Sequence, residues 1–331
     1  MRIVRFAAAV ITAVFLSAGC DSHTDSAGRV YVAGTVGTSA AYWVDGERVD
    51  LSPDYSAMVT DIDVQGSDVY TAGSITSGGE LACYWKNGEL FTIAAPNNSR
   101  AFAICVKDGT IYTAVTTLAL DHLYCWHDDT LGMTVTGTNL HAEDICVSNS
   151  IVYIAGSYEN SSTEHVACYW MNQARVDLVA GEAYTRATGV AVHDGDVYVS
   201  VRVVMPDTSE RAEYWKNGTR VILHEGDLAM ATDISVTDGN VYVSGSYLPA
   251  AGSTTGCYWK NGQRTDISDG SYSVITSGIG VADGDVYVAW QDTSSYPVAY
   301  WVNGTIVTLV TGGYTQAIHV RDPDQPVVNP L

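Results

Sequence analysis

The sequence is poor in positive charge, with 16 Lys and Arg against 37 Asp and Glu and a formal net charge of −21. Nucleic-acid binding depends on clustered Lys and Arg that contact phosphates. Docking on anionic lipid needs the same charge. We therefore predict no nucleic-acid partner, and a neutral or cationic partner is favoured. Solubility alone is the simpler interpretation of the acidic excess.

The apolar segment Phe6–Leu16 is too short to span a bilayer as a mature helix. It follows Arg2 and Arg5, which is typical of a secretory signal peptide. Cys20 comes next, and the residues before it resemble the lipobox of bacterial lipoproteins, although Leu16 stands four rather than three positions upstream. The resemblance implies cleavage before Cys20 and a lipid on its thiol. The alternative is an ordinary secretory signal with an incidental cysteine.

These features divide the chain into four segments. We expect a signal peptide at 1–19, a polar tether at 20–28, a folded domain at 29–320 and a C-terminal tail at 321–331. The predicted location is the bacterial cell envelope, outside the cytoplasm, with the lipid on Cys20 as the membrane attachment. We expect a monomer.

Signals for catalysis, metals and cofactors are also missing. There is no Gly-x-Ser-x-Gly turn and no phosphate-binding glycine loop before a helix. His141, Glu143 and Asp144 form the densest cluster of chemical groups, but no second histidine stands at a metal-ligand spacing. Asp61 and Asp63 suggest calcium only superficially, because no glycine-anchored oxygen loop follows them. The sequence predicts no catalytic residue, no metal and no cofactor.

Cysteine is limited to six residues beyond Cys20. Three of them stand two residues before a tryptophan in different repeats, and equivalent positions of separate repeats are too far apart for disulfides. We interpret all six as small buried hydrophobic residues. They are Cys83, Cys105, Cys125, Cys146, Cys168 and Cys257.

The sequence contains an internal repeat marked by tryptophan. A tryptophan, preceded by tyrosine in most copies, recurs at intervals of 41 to 45 residues. A fixed period of about 40–45 residues indicates a repeat architecture. The tryptophans are Trp43, Trp85, Trp126, Trp170, Trp215, Trp259 and Trp301.

Each repeat contains four short runs rich in Val, Ile, Tyr and Trp. In the second repeat these are 59–64, 69–73, 82–85 and 90–93, and turn residues separate them. Asn87-Gly88 predicts a type I′ hairpin, because that turn needs positive φ at both central residues. No helical period follows residue 20.

The first strand of the first repeat is missing, and an extra one, Ala317–Val320, follows the seventh tryptophan. A closed ring gains from this offset, because the last strand completes the first sheet and protects its edge. The sequence therefore predicts an all-β fold, a seven-bladed β-propeller with four-stranded antiparallel blades, closed by residues 317–320. Residues 29–320 resemble a β-propeller, and the Tyr-Trp-x-Asn-Gly motif is similar to that of bacterial hypothetical lipoproteins. WD40 and Kelch signatures are absent. We interpret the repeated aromatics as blade packing.

A ligand site is expected on the face with the longer loops. The resemblance to β-propellers implies that it lies near the central channel. Four residues before each core Ile or Val of the first strands stand Met58, Arg100, His141, Arg186, Met230, Ile275 and Tyr314, and two before stand Thr60, Phe102, Glu143, Thr188, Thr232, Ser277 and Gln316. Arg100, His141, Glu143 and Arg186 are predicted to form one polar arc, with Met58, Met230 and Tyr314 in a more apolar remainder. A solvated rim with local ion pairs is the alternative.

The loops at 157–165 and 202–211 belong to adjacent blades and are predicted to form one raised wall on this face. Their chemical groups, and those of equivalent loops, are Asp121, His122, Glu159, Asn160, Glu164, His165, Asp207, Glu210, Arg211 and Tyr296.

Three functions remain open. The leading hypothesis is a module that binds a protein or carbohydrate ligand or scaffolds partners. The rival is a glycan-processing hydrolase or lyase with its site at the channel mouth, which two carboxylates about 5–9.5 Å apart would favour. The third is a structural spacer without a concave site.

Overall fold

The computed structural model describes residues 29–52, 55–179 and 181–321. The regular elements of this part are β-strands, and it contains no helix of the length and apolarity needed to cross a membrane. The predicted signal peptide, the tether with Cys20 and the tail beyond Arg321 lie outside the described residues. In chain order the strands are β1 (Arg29–Val36), β2 (Ser39–Val44), β3 (Glu47–Asp50), β4 (Ala57–Gln65), β5 (Asp68–Thr76), β6 (Glu80–Lys86), β7 (Glu89–Thr92), β8 (Ser99–Lys107), β9 (Thr110–Thr117), β10 (His122–His127), β11 (Thr130–Thr136), β12 (Thr138–Ser148), β13 (Ile151–Glu159), β14 (His165–Met171), β15 (Ala174–Val179), β16 (Tyr184–His193), β17 (Asp196–Val204), β18 (Glu210–Lys216), β19 (Thr219–Gly226), β20 (Ala229–Thr237), β21 (Asn240–Tyr247), β22 (Thr255–Lys260), β23 (Gln263–Asp266), β24 (Val274–Ala282), β25 (Asp285–Asp292), β26 (Val298–Val302), β27 (Thr305–Val310) and β28 (Gly313–Arg321).

The strands pair antiparallel in groups of four, which we call blades 1 to 7. Blade 1 consists of β28, β1, β2 and β3, and blades 2 to 7 take β4 to β27 in chain order. One parallel bridge, between His165 and Tyr184, links blades 4 and 5. The predicted all-β propeller of four-stranded antiparallel blades is confirmed, and the pairing is consistent with a count of seven.

The inner strand of each blade contacts the inner strand of the next, from β4 around to β24. β28 completes the circle, because it contacts both β24 and β4 and pairs with β1. Val32 is opposite Ile318 and Tyr31 is opposite His319. The closing strand is longer than the predicted 317–320, since pairing extends from Gly313 to Arg321.

The Asn-Gly turns have the predicted backbone, with φ of 52° at Asn87 and 86° at Gly88. The asparagine also works through its side chain. Asn87 Oδ1 accepts from the N–H of Val69 at 2.8 Å, and its Nδ2 donates to Asp68 Oδ1 at 2.8 Å. This ties the turn between strands three and four to the turn between strands one and two. Both turns therefore lie on one side of the ring, which we call the tight-turn face; the opposite side is the irregular face.

Each inner strand carries a one-residue β-bulge where it pairs with the second strand. The bulge re-aims side chains toward the ring centre, a common use of bulges beside functional sites. The bulged residues are the ones two positions before the core Ile or Val: Thr60, Phe102, Glu143, Thr188, Thr232, Ser277 and Gln316.

Blades 2, 4 and 6 share a packing detail that blades 3, 5 and 7 lack. In blade 4, a Cβ on Gly156 would lie 1.8 Å from the carbonyl oxygen of His141 and 3.1 Å from the Trp170 ring. Gly73 and Gly245 have the same surroundings in blades 2 and 6. The absent side chain lets the tryptophan lie against the backbone, fully buried. Blades 3, 5 and 7 have Val115, Val201 and Trp290 at this position.

The six cysteines of the described chain are free thiols, four buried and two, Cys105 and Cys146, half-buried. Burial raises the pKa of Cys125 and of Cys146 to about 12, and it raises the pKa of the other four as well. A thiol of raised pKa is a poor nucleophile at neutral pH.

We therefore expect a Cys20→Ser variant to resist alkylation by iodoacetamide at pH 7 while it is folded. After denaturation in guanidinium the same sample should take up six alkyl groups by intact mass. Modification of Cys105 or Cys146 in the native protein would show that these thiols are more exposed than the structure places them.

Candidate functional site

The inner strands form the wall of a central channel. Each pairs with its second strand on one side only, so the N–H groups of its free edge need another acceptor. In blade 2, Asp61 accepts from the N–H of Ile62 at 2.7 Å and from that of Ile104, in blade 3, at 2.8 Å. One carboxylate thus satisfies two edge donors and joins two blades.

Asp144 and Asp233 repeat this arrangement. Asp144 accepts from Ile145 and Val190, each at 2.7 Å, and joins blades 4 and 5. Asp233 accepts from Ile234 at 2.7 Å and from Ile279 at 2.9 Å, joining blades 6 and 7. Together the three carboxylates serve six equivalent edge donors.

The seventh equivalent donor is the N–H of Ile318 in blade 1. The residue before it is Ala317, and the matching residue of the preceding blade is Gly278. Neither side chain carries an acceptor. The junction of blades 7 and 1, where the ring closes, therefore has no shared aspartate of the kind that joins blades 2 and 3, 4 and 5, and 6 and 7.

The three channel aspartates repel one another and are poorly solvated. Burial, and then the charge of Asp144, raise the pKa of Asp233 to about 8. Burial raises the pKa of Asp144 to about 6, against the lowering effect of its two N–H donors. Burial and the charge of Asp144 also raise the pKa of Asp61 well above its usual range. These shifts follow from placing three carboxylates around one narrow space.

That space is a polar cavity of about 90 Å³. Ligand pockets are typically about 300–1,000 Å³, so the cavity can hold waters but not a sugar ring. Its lining comes from every inner strand except β8: Thr60, Asp61, Glu143, Asp144, Thr188, Thr232, Asp233, Ser277, Gly278, Gln316, Ala317 and Ile318.

At the channel mouth the predicted polar arc is divided into pairs. Arg186 of blade 5 forms an ion pair with Glu143 of blade 4. Burial, and then the charges of Arg186 and His165, together lower the pKa of His141 to about 4. His141 is therefore neutral at pH 7.

Arg100 lies apart from this group and binds a residue that the sequence did not suggest. Its Nε donates to Glu80 Oε1, across the junction of blades 2 and 3, at 2.5 Å. The guanidinium also lies 5.6 Å from the ring centre of Phe102. Both mouth arginines are thus neutralised by carboxylates, and an anion would have to displace those partners.

The apolar remainder is more exposed. Met58, Ile275 and Tyr314 all project from the irregular face, while Met230 is half-buried. Tyr296, in the loop between the second and third strands of blade 7, packs against Tyr314 across the junction with blade 1, with ring centres 5.4 Å apart. Glu80 and Arg100 occupy the corresponding positions at the junction of blades 2 and 3.

The wall predicted from loops 157–165 and 202–211 contains a buried ion pair. Arg211 Nε donates to Glu213 Oε2 at 2.8 Å, and Glu213 Oε1 accepts from Trp215 Nε1 at 2.7 Å. Arg211 also faces Glu182 at 3.4 Å. All these groups are engaged with one another, so the cluster has a structural role. In the other loop, Asn160 and Glu164 bond each other at 2.8 Å.

No group of three or more His, Cys, Asp or Glu side chains in the described residues is placed to hold a metal ion. The residues missed from sequence are the channel aspartate Asp233 and the partner Glu80; Asp144 was noted only as part of the cluster with His141 and Glu143. A signal for the aspartates was present, because an aspartate directly precedes the core isoleucine in every second repeat.

Comparison with known proteins supports the fold only. No family model matches the sequence, and no curated protein matches it. Puromycin hydrolase has a similar solved structure, with a TM-score of 0.54 and 12% identity over 78% of this chain, and the chain spans 47% of the hydrolase. The β-propeller domain of the trilobed protease from Pyrococcus furiosus gives a TM-score of 0.50 and 13% identity, covering 77% of this chain and 83% of that domain. At such identities the likeness establishes that this chain folds as a β-propeller.

Proposed function

We propose that this protein is an exported, lipid-anchored propeller of the bacterial cell envelope that binds a protein or carbohydrate partner through its irregular face. The observation that carries the proposal is the contrast between the two faces. The tight-turn face consists of short hydrogen-bonded turns, whereas the irregular face has the longer loops, the channel mouth and an exposed apolar group. Long loops on a rigid scaffold are the usual place for recognition.

Contacts at the two ends of the described chain indicate which face of the propeller would lie toward a membrane anchor. Arg29 Nε donates to Asp45 Oδ2, in the hairpin turn of blade 1, at 3.0 Å. Arg321 donates to the carbonyl oxygen of Gly66, in a turn of blade 2. Both ends therefore leave from the tight-turn face.

A lipid on Cys20 would be attached through residues 21–28, which span about 30 Å at most when extended. The tight-turn face would then lie toward the membrane, and the irregular face would be directed away from it. We expect the protein to be labelled by palmitate and the Cys20→Ser variant to lose the label. Labelling that persists in the variant would exclude Cys20 as the site of lipid attachment.

The glycan-processing rival gains no support at the channel mouth. Glu143 is paired with Arg186, and the channel aspartates accept backbone N–H groups around a cavity too small for a sugar. Within the described residues, no free pair of carboxylates faces a substrate-sized pocket. Hydrolysis of a glycan by the purified protein, lost in Glu143→Gln, would restore the rival.

The binding proposal is tested by blocking one face at a time. Ser77 lies in a loop on the irregular face and Ser67 in a turn on the tight-turn face; both are exposed and both belong to blade 2. In a Cys20→Ser background, Ser77→Cys and Ser67→Cys each provide a reactive thiol for a maleimide polymer, because the other thiols are buried or half-buried and have a raised pKa.

The probes are a glycan array and a random peptide library. We expect binding to be lost when the polymer is on Ser77→Cys and retained when it is on Ser67→Cys. Equal binding by both conjugates, or no binding to either probe by the unmodified protein, would overturn the proposal.

A further inference from the structure

Four exposed apolar side chains gather on adjacent blades at the channel mouth. We call them the mouth apolar arc: Met58 of blade 2, Ile275 and Tyr296 of blade 7, and Tyr314 of blade 1. Their exposed fractions are 38%, 39%, 41% and 50%. The other large exposed apolar side chains of the described residues, such as Ile306 at 41%, do not belong to this group. Contiguous exposed apolar surface rimmed by polar residues is typical of an interaction site.

Tyr296 is held in place by the backbone. Its φ is 47°, a left-handed conformation that is uncommon for a bulky residue. Its carbonyl oxygen accepts from the N–H of Gly313 at 2.7 Å, at the start of the closing strand. The backbone at Tyr296 is thus tied to the start of the closing strand, and the exposed ring packs on Tyr314.

The charges around the arc are negative. Asp269 is exposed on the loop before β24, and hydrogen bonds from the hydroxyl and N–H of Ser271 lower its pKa. At Asp292, burial raises the pKa, but hydrogen bonds from Ser295 and Ser294 bring it down to about 2. Both carboxyl groups are ionised at neutral pH.

Positive charge on the irregular face is already neutralised. Its arginines in the described residues are Arg100, Arg186, Arg202 and Arg211, and each is ion-paired with a glutamate. The four lysines all stand at turns of the opposite face. An approaching cation therefore meets no unpaired arginine or lysine of the described residues on this face. Asp269 offers an exposed carboxylate to it, whereas Asp292 is 7% exposed and contributes its charge from within the protein.

We infer that the mouth apolar arc is a docking surface for a polypeptide segment in which an aliphatic or aromatic side chain is flanked by lysine or arginine. This inference rests on the proposed function and deepens it. The apolar side chain packs on Ile275, Tyr314 and Met58, and the basic residue lies beside Asp269 and the tyrosine rings, which also attract cations.

A carbohydrate fits this surface less well. Met58 and Ile275 offer no hydrogen bonds, and the neighbouring Asp292 already accepts from the hydroxyls of Ser294 and Ser295. Sugar recognition needs several free polar groups that replace water around the hydroxyls.

The test uses the full mature chain and a random peptide library, followed by titration of one selected peptide by calorimetry. We expect enrichment of peptides that combine an apolar residue with Lys or Arg. Ile275→Ser and Tyr314→Ala should each weaken the selected peptide at least about tenfold, as for a central interface residue. Ile306→Ser, an equally exposed isoleucine on β27, is the matched control and should leave the affinity unchanged.

Two outcomes overturn the inference and leave the proposed function standing. In the first, the two variants Ile275→Ser and Tyr314→Ala bind the peptide as the wild type does, but the polymer on Ser77→Cys abolishes peptide binding. The other is binding on a glycan array with no selected peptide. If the protein binds neither the peptide library nor the glycan array, both the inference and the proposed function are overturned. Circular dichroism of each variant confirms that folding is intact.

Discussion

Replacing Arg211 with valine is expected to lower the free energy of unfolding by about 3–5 kcal/mol, because it leaves the carboxylate of Glu213 buried without its charge partner. The side chain of Glu213 is 0% exposed and that of Arg211 is 7% exposed. Water cannot solvate the carboxylate, and only the Trp215 N–H remains as a donor. Denaturant unfolding followed by tryptophan fluorescence measures the change.

The double variant Arg211→Val, Glu213→Cys supplies the control. Blade 4 has Val166 and Cys168 at the same two positions, so the pair already packs well in this fold. Since replacing a buried ion pair by apolar residues is often neutral or stabilising, the double variant should recover most of the loss. A single variant as stable as the wild type would mean that Glu213 is neutral or hydrated in the folded protein.

The second large effect concerns Asp233. Its folded pKa of about 8 lies above the unfolded value of about 3.9, so the folded state binds the proton more tightly. This contribution to stability is fully present below pH about 4 and is lost as pH rises toward 8. Asp144, with a pKa of about 6, acts in the same direction over the lower part of this range. We expect the wild-type free energy of unfolding to decrease as the pH is raised from about 4 to about 8.

Asp233→Ala removes both the acceptor and the titration. At pH about 4.5 it should destabilise the protein by about 2–4 kcal/mol, because the N–H groups of Ile234 and Ile279 lose their partner. At pH 8 the loss should be smaller, since the variant no longer holds a buried charge. Urea unfolding at several pH values measures both.

Asp196→Ala serves as the reference for this experiment, because it removes a carboxylate from a turn of the tight-turn face. Its pH profile should follow that of the wild type. If Asp233→Ala keeps the wild-type profile as well, the pH dependence arises elsewhere.

The sequence predicted the fold well because the fold depends on local, repeated chemistry. The tryptophan period, the Asn-Gly turns and the displaced strand at Ala317 each report a structural requirement that any blade must meet. Burial of Trp85 and Trp170 and the pairing of Ile318 with Val32 follow from those requirements.

The site was predicted less completely, because contacts across blade junctions depend on facing positions that the period does not reveal. Arg100 was expected to join His141 in one arc, yet its partner is Glu80 of the preceding blade. The pairing of Arg186 with Glu143 also lies across a junction. The sequence placed these residues on the inner strands near the channel mouth, but it did not show which side chain of the next blade each would meet.

The sharing of carboxylates between neighbours has a consequence for how such a molecule can arise. One aspartate provides for its own unit and the following one. The same units carry a glycine and a cysteine at two positions where blades 3, 5 and 7 have neither: Asp61, Gly73 and Cys83; Asp144, Gly156 and Cys168; Asp233, Gly245 and Cys257. Across blades 2 to 7 the sequence pattern therefore repeats as a doublet of about 85–90 residues, which is two of the single repeats. With blades 2 to 7 arranged in three such doublets, blade 1 remains single, and it is the blade built from both ends of the chain. Relatives in this lineage should accordingly gain or lose members two at a time.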